Sequence, residues 1–288
     1  MNETSYPKLS IEEFGARLIE SQDLDPVYTV VHHAKLDPDH LRRWELAYWM
    51  SYNAGVVSYI SERQDGDFWD AMKTFATNTV PAPTGGRWPR GRERRHYRGV
   101  AGEKSVAWLA EKYPHPEDAV KWLEVPPIDS QGYPYRLLAS KVQEWPLFGP
   151  WIAFKVGDML ERLNGIQLDF SGSDIAFFSS PQKAAKQWVE QDSRYTGVKF
   201  DRVGTYVMEA CVHIEKALGD RLAPPRFERK INLQEIETVL CKWGSHMNWH
   251  YPIGIDTVEL KEALEPWVPF SSTAERLLEG LPPQPANG

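Results

Sequence analysis

The stretch that most restricts how this 288-residue chain can fold runs Trp145-Pro146-Leu147-Phe148-Gly149-Pro150-Trp151-Ile152-Ala153-Phe154-Lys155 and continues to Leu168-Asp169-Phe170. It reads as a helix, a tight Gly-Pro turn, a second helix and, shortly after that helix ends near Gly165, a carboxylate. Proline starts or stops helices and rarely sits inside them, so Pro150 belongs at the head of the second helix. A turn of this kind presents backbone N–H groups at a helix N-terminus, where unpaired donors and partial positive charge favour an anion. Phe148-Gly149-Pro150 is therefore placed to grip a phosphate. Lys155 lies about one and a half turns beyond Pro150, and Asp169 points an acid at whatever lies alongside.

The remainder of the chain is helical in pattern. Apolar spacing and caps predict helices over 11–19 with Ser10 as N-cap, one long central helix over 39–62, and 68–76 capped by Asp67. Further helices follow over 103–112, 116–123, 135–144, 180–190 with Ser180-Pro181 as cap and first residue, 201–218, 233–243 capped by Asn232, and 257–264 capped by Asp256. Val27–Val31 is read as apolar chain entering a helical core. With no repeat and no β-rich region, the chain is all-α. It divides into an N-terminal extension (1–38), a helical catalytic domain (39–281) that could hold two closely packed lobes, and a Pro-rich disordered tail (282–288).

Charge narrows the partners. A formal net charge of −7 excludes a general polyanion binder, but local potential steers a phosphate. Between Arg87 and Lys104, the basic residues Arg87, Arg90, Arg92, Arg94, Arg95, Arg98 and Lys104 face only Glu93 and Glu103. Arginine forks hold phosphate in two bonds, and the glycines among them let backbone approach; Arg92, Arg94, Arg95 and Arg98 become candidate phosphate or DNA ligands together with Gly149. Gly99-Val100-Ala101-Gly102-Glu103-Lys104-Ser105 lacks P-loop spacing and a preceding strand, which excludes a Walker-type kinase. Of the 12 tryptophans, most should pack a core, although aromatics also stack on bases and wedge duplexes. Tyr52 and Asn53 put polar atoms on an otherwise apolar helix and could wall a pocket. The two cysteines, Cys211 and Cys241, give no disulfide framework and read as buried thiols in a cytoplasm. No apolar run suits a membrane span, and the N-terminus has no signal-peptide character.

Two blocks of sequence carry a family resemblance: Trp145 to Leu163, and Leu240-Cys241-Lys242-Trp243-Gly244-Ser245-His246-Met247-Asn248-Trp249-His250-Tyr251-Pro252-Ile253-Gly254-Ile255-Asp256. With Trp49–Glu62 and Arg92–Gly99 they cover most of residues 40–265. The chain resembles the phage amino acid:DNA transferases of thymine hypermodification, also called α-glutamyl/putrescinyl thymine pyrophosphorylases. These are related to the helical domain of the 5-hydroxymethyl-deoxyuridine DNA kinases and to helix-hairpin-helix DNA glycosylases. The match departs from the pattern at Pro150, where a glycosylase hairpin has a second glycine, and at Trp249 and Ile255, where Gly and Lys are expected.

The resemblance implies a helix-hairpin-helix DNA glycosylase-like fold and a reaction on double-stranded phage DNA in the host cytoplasm. The amine of an amino acid or polyamine displaces pyrophosphate from 5-pyrophosphoryloxymethyl-deoxyuridine, with the target base turned out of the duplex. In that chemistry the arginines stabilise the leaving pyrophosphate, and Asp169 either stabilises the electron-poor carbon or deprotonates the amine, with Lys155 lining the site. In the second block, Lys242 would hold a carboxylate or phosphate, and Ser245, His246, Asn248 and His250 join it as substrate ligands. His246 and His250 stand i, i+4 with Cys241 nearby but no third evident ligand, so no protein metal site is expected; Mg²⁺ accompanying the pyrophosphate is left open. Glycine is the preferred donor by resemblance, with glutamate, ornithine and putrescine open. Two rival readings share the hairpin: a glycosylase-like base remover, and a non-catalytic DNA-binding accessory of a modification complex.

Overall fold

A computed structural model describes residues 6–126, 133–170 and 178–283, and the described chain is all-α. Its helices are α1 (Ile11–Glu20), α2 (Pro26–Ala34), α3 (Pro38–Ser51), α4 (Ala54–Ser61), α5 (Asp65–Thr77), α6 (Gly99–Lys112) and α7 (Pro116–Glu124). They continue as α8 (Tyr135–Gln143), α9 (Pro150–Arg162), α10 (Ser179–Gln191), α11 (Val203–Leu218), α12 (Leu233–Met247), α13 (Ile255–Leu264) and α14 (Ser272–Glu279). Among the described residues the extended pairings are two isolated bridges, Pro134 with Asp169 and Leu222 with Lys230. No helix among them is long and apolar enough to cross a membrane. The end of the tail expected to be disordered, 284–288, lies outside the described residues.

The helices form two compact units. One comprises Val27–Ser171 and Glu259–Leu281; the other comprises Met1–Pro26 and Gly172–Val258, with the C-terminal residues. The first is built around α3, which buries Trp44, Leu46, Ala47, Trp49 and Met50 and packs on α4, α7 and α9. Every residue of α3 from Arg43 to Ser51 is buried, the polar ones included, which makes this helix central. In the second, α10, α11 and α12 pack on one another, and α11 and α12 also pack on α1. Here the helices approach closely: a Cβ on Gly244 of α12 would stand 2.7 Å from the Cβ of Ala184 on α10.

Several local expectations are met by the expected residues. Ser10 caps α1 by accepting from the Glu13 N–H, and Asn232 with Glu235 forms a full capping box on α12. Four expectations are corrected. The long helix over 39–62 is two helices, broken where Tyr52 takes a left-handed conformation (φ 54) and Asn53 accepts the Val56 N–H to cap a new start. Asparagine at a cap satisfies a donor that a continuing helix would have satisfied with backbone, so propensity alone does not reveal the break. Asp67 lies inside α5, whose cap position is Gln64, Asp256 lies inside α13, which already begins at Ile255, and α10 starts at Ser179 with Phe178 before it.

Val27–Val31 lies within α2, where Val30 and Val31 are buried. Neither cysteine is in a disulfide, and both are half-buried rather than buried.

One buried acid in the first unit makes stability depend on pH. Glu45 on α3 is fully buried; the Asn164 amide donates to its Oε2 at 3.1 Å and to Glu124 Oε1 at 2.8 Å, while its Oε1 has no partner. Glu124 is forked by Arg42. Burial pushes the Glu45 carboxyl from 4.5 up to about 8. The folded protein therefore keeps a proton that the unfolded chain releases above its ordinary value, and stability falls as pH rises from about 4.5 to about 8. Glu45→Gln should flatten this slope and stabilise the protein at pH 8 by an amount on the order of 1–3 kcal/mol. Urea denaturation of both proteins across that pH range checks it, and parallel curves would refute it.

Candidate functional site

The hairpin forms between α8 and α9 as the sequence predicts, but its strained residue is not the glycine. Leu147 carries the positive φ (69), while Gly149 sits extended as the N-cap of α9 with Pro150 as first helical residue. Around Gly149 the space is open: an added Cβ would meet nothing within 4 Å. A backbone group there can be approached by a ligand, with the dipole of a 13-residue helix behind it.

The arginine segment docks against this turn. Arg94 Nη1 donates to the Leu147 carbonyl at 3.0 Å, and its guanidinium lies 4.9 Å from the ring centres of both Tyr97 and Phe148. Arg94 is 1% exposed, and its Nε and Nη2 have no hydrogen-bond partner among the described residues. Burial lowers its pKa to about 10, so it stays cationic at neutral pH. Of the four arginines expected at phosphate, Arg92, Arg95 and Arg98 are exposed and Arg94 is interior. It braces the turn and adds fixed positive charge beneath it. The same segment presses on the end of α3: the Gly91 N–H donates to Ser51 O at 2.9 Å, and a Cβ at Gly91 would stand 2.5 Å from Tyr52 O. Tyr52 stacks on Tyr48 at 4.6 Å and lies 5.4 Å from Trp151. The structure thus brings Tyr52, Arg94 and Gly149 into one neighbourhood, along with Trp151, which sequence reasoning missed. The signal available for Trp151 was its position next to Pro150. Asn53 instead spends its side-chain oxygen on capping α4.

Lys155 is on the interior face of α9, 8% exposed, with Nζ 3.7 Å from Asp158 Oδ2. Asp158 is fully buried; Tyr28 donates to its Oδ2 at 3.0 Å, and Arg162 Nη1 lies 3.5 Å from Oδ1. Arg162 is thus the expected partner of Asp158, but the pair is buried where spacing alone reads as an exposed one, because α9 is enclosed on nearly all sides. Asp169 is exposed and is held by its backbone: the Tyr135 N–H donates to Asp169 O at 2.8 Å and the Asp169 N–H to Tyr133 O at 3.0 Å. Buried Phe170 beside it stacks on Tyr135 at 5.0 Å and meets Phe154 edge-on at 5.7 Å. The backbone that carries this acid is thus pinned in an extended segment.

The second block belongs to the other unit. Lys242 is bound to the carbonyls of Asp23 and Leu24 and to Asp256 Oδ2 at 2.5 Å. Burial opposes its charge, but Asp256, Asp25 and Asp23 outweigh it and raise its pKa. Asp23 is fully buried; it accepts from the Gly254 N–H at 2.7 Å, the Tyr251 hydroxyl at 3.0 Å and the Thr257 N–H at 3.0 Å. Nothing local in the sequence marks Asp23 for this role, since its partners lie more than 200 residues away. His246 is buried, with Nδ1 2.9 Å from Tyr251 O and Nε2 accepting the Leu9 N–H. That pattern fixes the neutral Nδ1–H tautomer, agrees with burial lowering its pKa, and leaves no nitrogen for a metal. Ser245 is half-buried, and its carbonyl accepts from the backbone of Asn248 and His250, both exposed. Trp249, where glycine was expected, has φ 63 and is 48% exposed, with Lys8 over its ring at 4.8 Å. Position 249 therefore has the backbone that glycine suits best.

Among the described residues one group has metal-ligand proximity: Asp65, His115 and Glu117, with ligand atoms within 4.8 Å of one another. His115 Nδ1 lies 2.7 Å from Asp65 Oδ1, and that contact raises the imidazole pKa. It reads as an ion pair at the starts of α5 and α7, where helix dipoles favour anions over cations.

Comparison with known proteins bears on this geometry directly. The chain is 41% identical over 291 residues to the glycinyltransferase of Pseudomonas phage PaMx11, covering 96% of this chain and 98% of that protein. It is 26% identical over 265 residues to the putrescinyltransferase of Delftia phage PhiW-14, covering 91% and 79%. The amino acid:DNA transferase family matches residues 15–250, which takes in the hairpin, the arginine segment and most of the second block, and this chain, an enzyme, belongs to that family.

Proposed function

We propose that this enzyme joins glycine, through its amine, to a thymine-derived base in double-stranded phage DNA by displacing pyrophosphate from 5-pyrophosphoryloxymethyl-deoxyuridine. The observation that carries the choice of glycine is the near full-length likeness to a glycinyltransferase at 41% identity, against 26% to a putrescinyltransferase. In the reaction the amine lone pair attacks the methylene carbon attached to the uracil ring. The C–N bond forms, the C–O bond breaks with its electrons leaving on pyrophosphate, and the nitrogen gives up a proton to a base.

Each demand of that chemistry has a candidate in the site. The leaving group gains negative charge, which the exposed Arg92, Arg95 and Arg98 and the open amide end of α9 at Gly149 can take up, with Arg94 fixing the turn beneath. Asp169, exposed on its pinned segment, is suited to receive the ammonium proton or to face the electron-poor carbon. The base has to leave the stack, and Tyr52 with Trp151 offers an aromatic surface against which it can rest. This use of the α8–α9 turn is that of a helix-hairpin-helix grip, and the glycosylase-like fold reading goes with it. Mg²⁺, where used, would travel with the pyrophosphate.

Nucleoside mass spectrometry on duplex DNA bearing pyrophosphorylated hydroxymethyluracil, incubated with enzyme and a pool of amino acids and putrescine, should show a glycine adduct. An abasic site would instead support base removal, and intact substrate with every amine would sink the proposal. Asp169→Asn should lower turnover about 10²–10⁴-fold while DNA binding persists; unchanged turnover would remove Asp169 from the chemistry. Arg95→Ala should reduce the slope of log affinity against log salt by about one without altering the melting temperature. Arg94→Ala should lower the melting temperature, and equal behaviour of the two variants would contradict their assignment.

A further inference from the structure

His96 stands inside the arginine segment, three residues before Gly99 opens α6. It is exposed, and its Nε2 lies 3.4 Å from Arg94 Nη1, the same atom that donates to the Leu147 carbonyl of the turn. Contact therefore joins this imidazole to the hairpin itself.

Its charged surroundings differ from those of three other histidines. His40, His115 and His213 each lie against a carboxylate, that of Asp37, Asp65 and Glu12 respectively. Among the described residues His96 has no such partner. The charges that bear on it are Arg94 and Arg95 of its own segment, and what the hairpin presents to it is the neutral Leu147 carbonyl. Arg95 and Arg98, both exposed, take part in no ion pair among the described residues. Two helix starts add positive potential: α9 at Gly149, and α6 at Gly99, where Arg98 makes no side-chain cap and an added Cβ would meet nothing within 4 Å.

Partial burial lowers the imidazole pKa from its ordinary 6.5, Arg94 and Arg95 lower it further, and the Leu147 carbonyl opposes them. The free protein thus holds His96 neutral at neutral pH. An arriving phosphate reverses this balance, since it supplies the negative charge that the surroundings lack and so favours the imidazolium. The proton comes from solvent, and no bond to carbon is made or broken. Once charged, the ring gives a phosphate oxygen a charge-assisted N–H bond, roughly twice as strong as a neutral one.

We infer that His96 is a phosphate ligand of the hairpin and takes up a proton when the anion binds. The inference rests on the reading of the turn as the place where phosphate is met. Backbone phosphate of the duplex and the leaving pyrophosphate share this chemistry. Because binding raises the imidazole pKa, the contribution of His96 to affinity is full below the pKa of the free protein and is lost as pH rises through the pKa of the complex.

Calorimetric titration in buffers of different ionisation enthalpy counts the protons taken up on binding, between about pH 5.5 and pH 8. Unmodified duplex DNA and inorganic pyrophosphate are each titrated into wild type, His96→Gln and His96→Lys. A phosphodiester does not titrate in this range, and pyrophosphate titrates alike with each protein, so the difference between wild type and variant reads His96. Wild type should take up protons and lose about tenfold in affinity across the range for each unit by which binding raises the imidazole pKa. His96→Gln should take up fewer protons and keep a flatter affinity. His96→Lys, permanently charged, should bind more tightly than wild type at pH 8, with no more uptake than His96→Gln. The ligand that shows the difference names the phosphate concerned, and thermal melts confirm that each variant is folded. Equal proton uptake by wild type and His96→Gln with both ligands overturns the inference. If Arg95→Ala still lowers the salt slope in that case, the turn meets phosphate without His96; if neither variant differs from wild type, the reading of the turn falls as well.

Discussion

The unit around α3 depends on a carboxylate that has no access to water. Asp158 sits at the centre of α9 and gathers Tyr28, Lys155 and Arg162 around it. Such an arrangement contributes little net stability, since each ion loses its hydration, but removing one member leaves the others uncompensated and costs several kcal/mol. Its larger effect is to fix one register. Lys155 and Arg162 share α9 with Asp158, and Tyr28 reaches it from α2, so the tyrosine bond is what ties α9 to its neighbour.

The other unit solves the same problem with a different anchor. Asp23 receives two backbone N–H groups and two hydroxyls and faces Lys242. A family block that looks in sequence like a run of substrate ligands is, in its lysine and its buried histidine, largely the means by which a loop is held on α12. The residues of that block left to solvent are Asn248, Trp249, His250 and Pro252.

How much could be read from the residues depends on how local the determining interaction is. The start of α9, the cap of α1 and the capping box of α12 follow from neighbours within four positions, and these the sequence states openly. The break between α3 and α4 also rests on local atoms, but it needs a tyrosine in a left-handed conformation, which its side chain gives no reason to expect. The interior position of Arg94, the buried environment of Asp158 and the anchoring of Lys242 by Asp23 depend on partners dozens to hundreds of residues away, to which charge spacing is blind. Asp169 and Gly149 became candidates because each follows directly from the hairpin pattern; Asp169 is exposed, and a Cβ at Gly149 would meet nothing within 4 Å.

Leu147 has a consequence for how nucleic acid would be met. A turn bent by a flexible glycine samples many shapes until a ligand selects one. Here the left-handed residue bears a side chain, its carbonyl is tied to an interior guanidinium, and a proline follows two residues after the next aromatic. The loop is already rigid, so little ordering entropy remains to be lost on association. A backbone phosphate arriving there would encounter a finished surface, and encounter would be governed by diffusion and local charge rather than by a folding step.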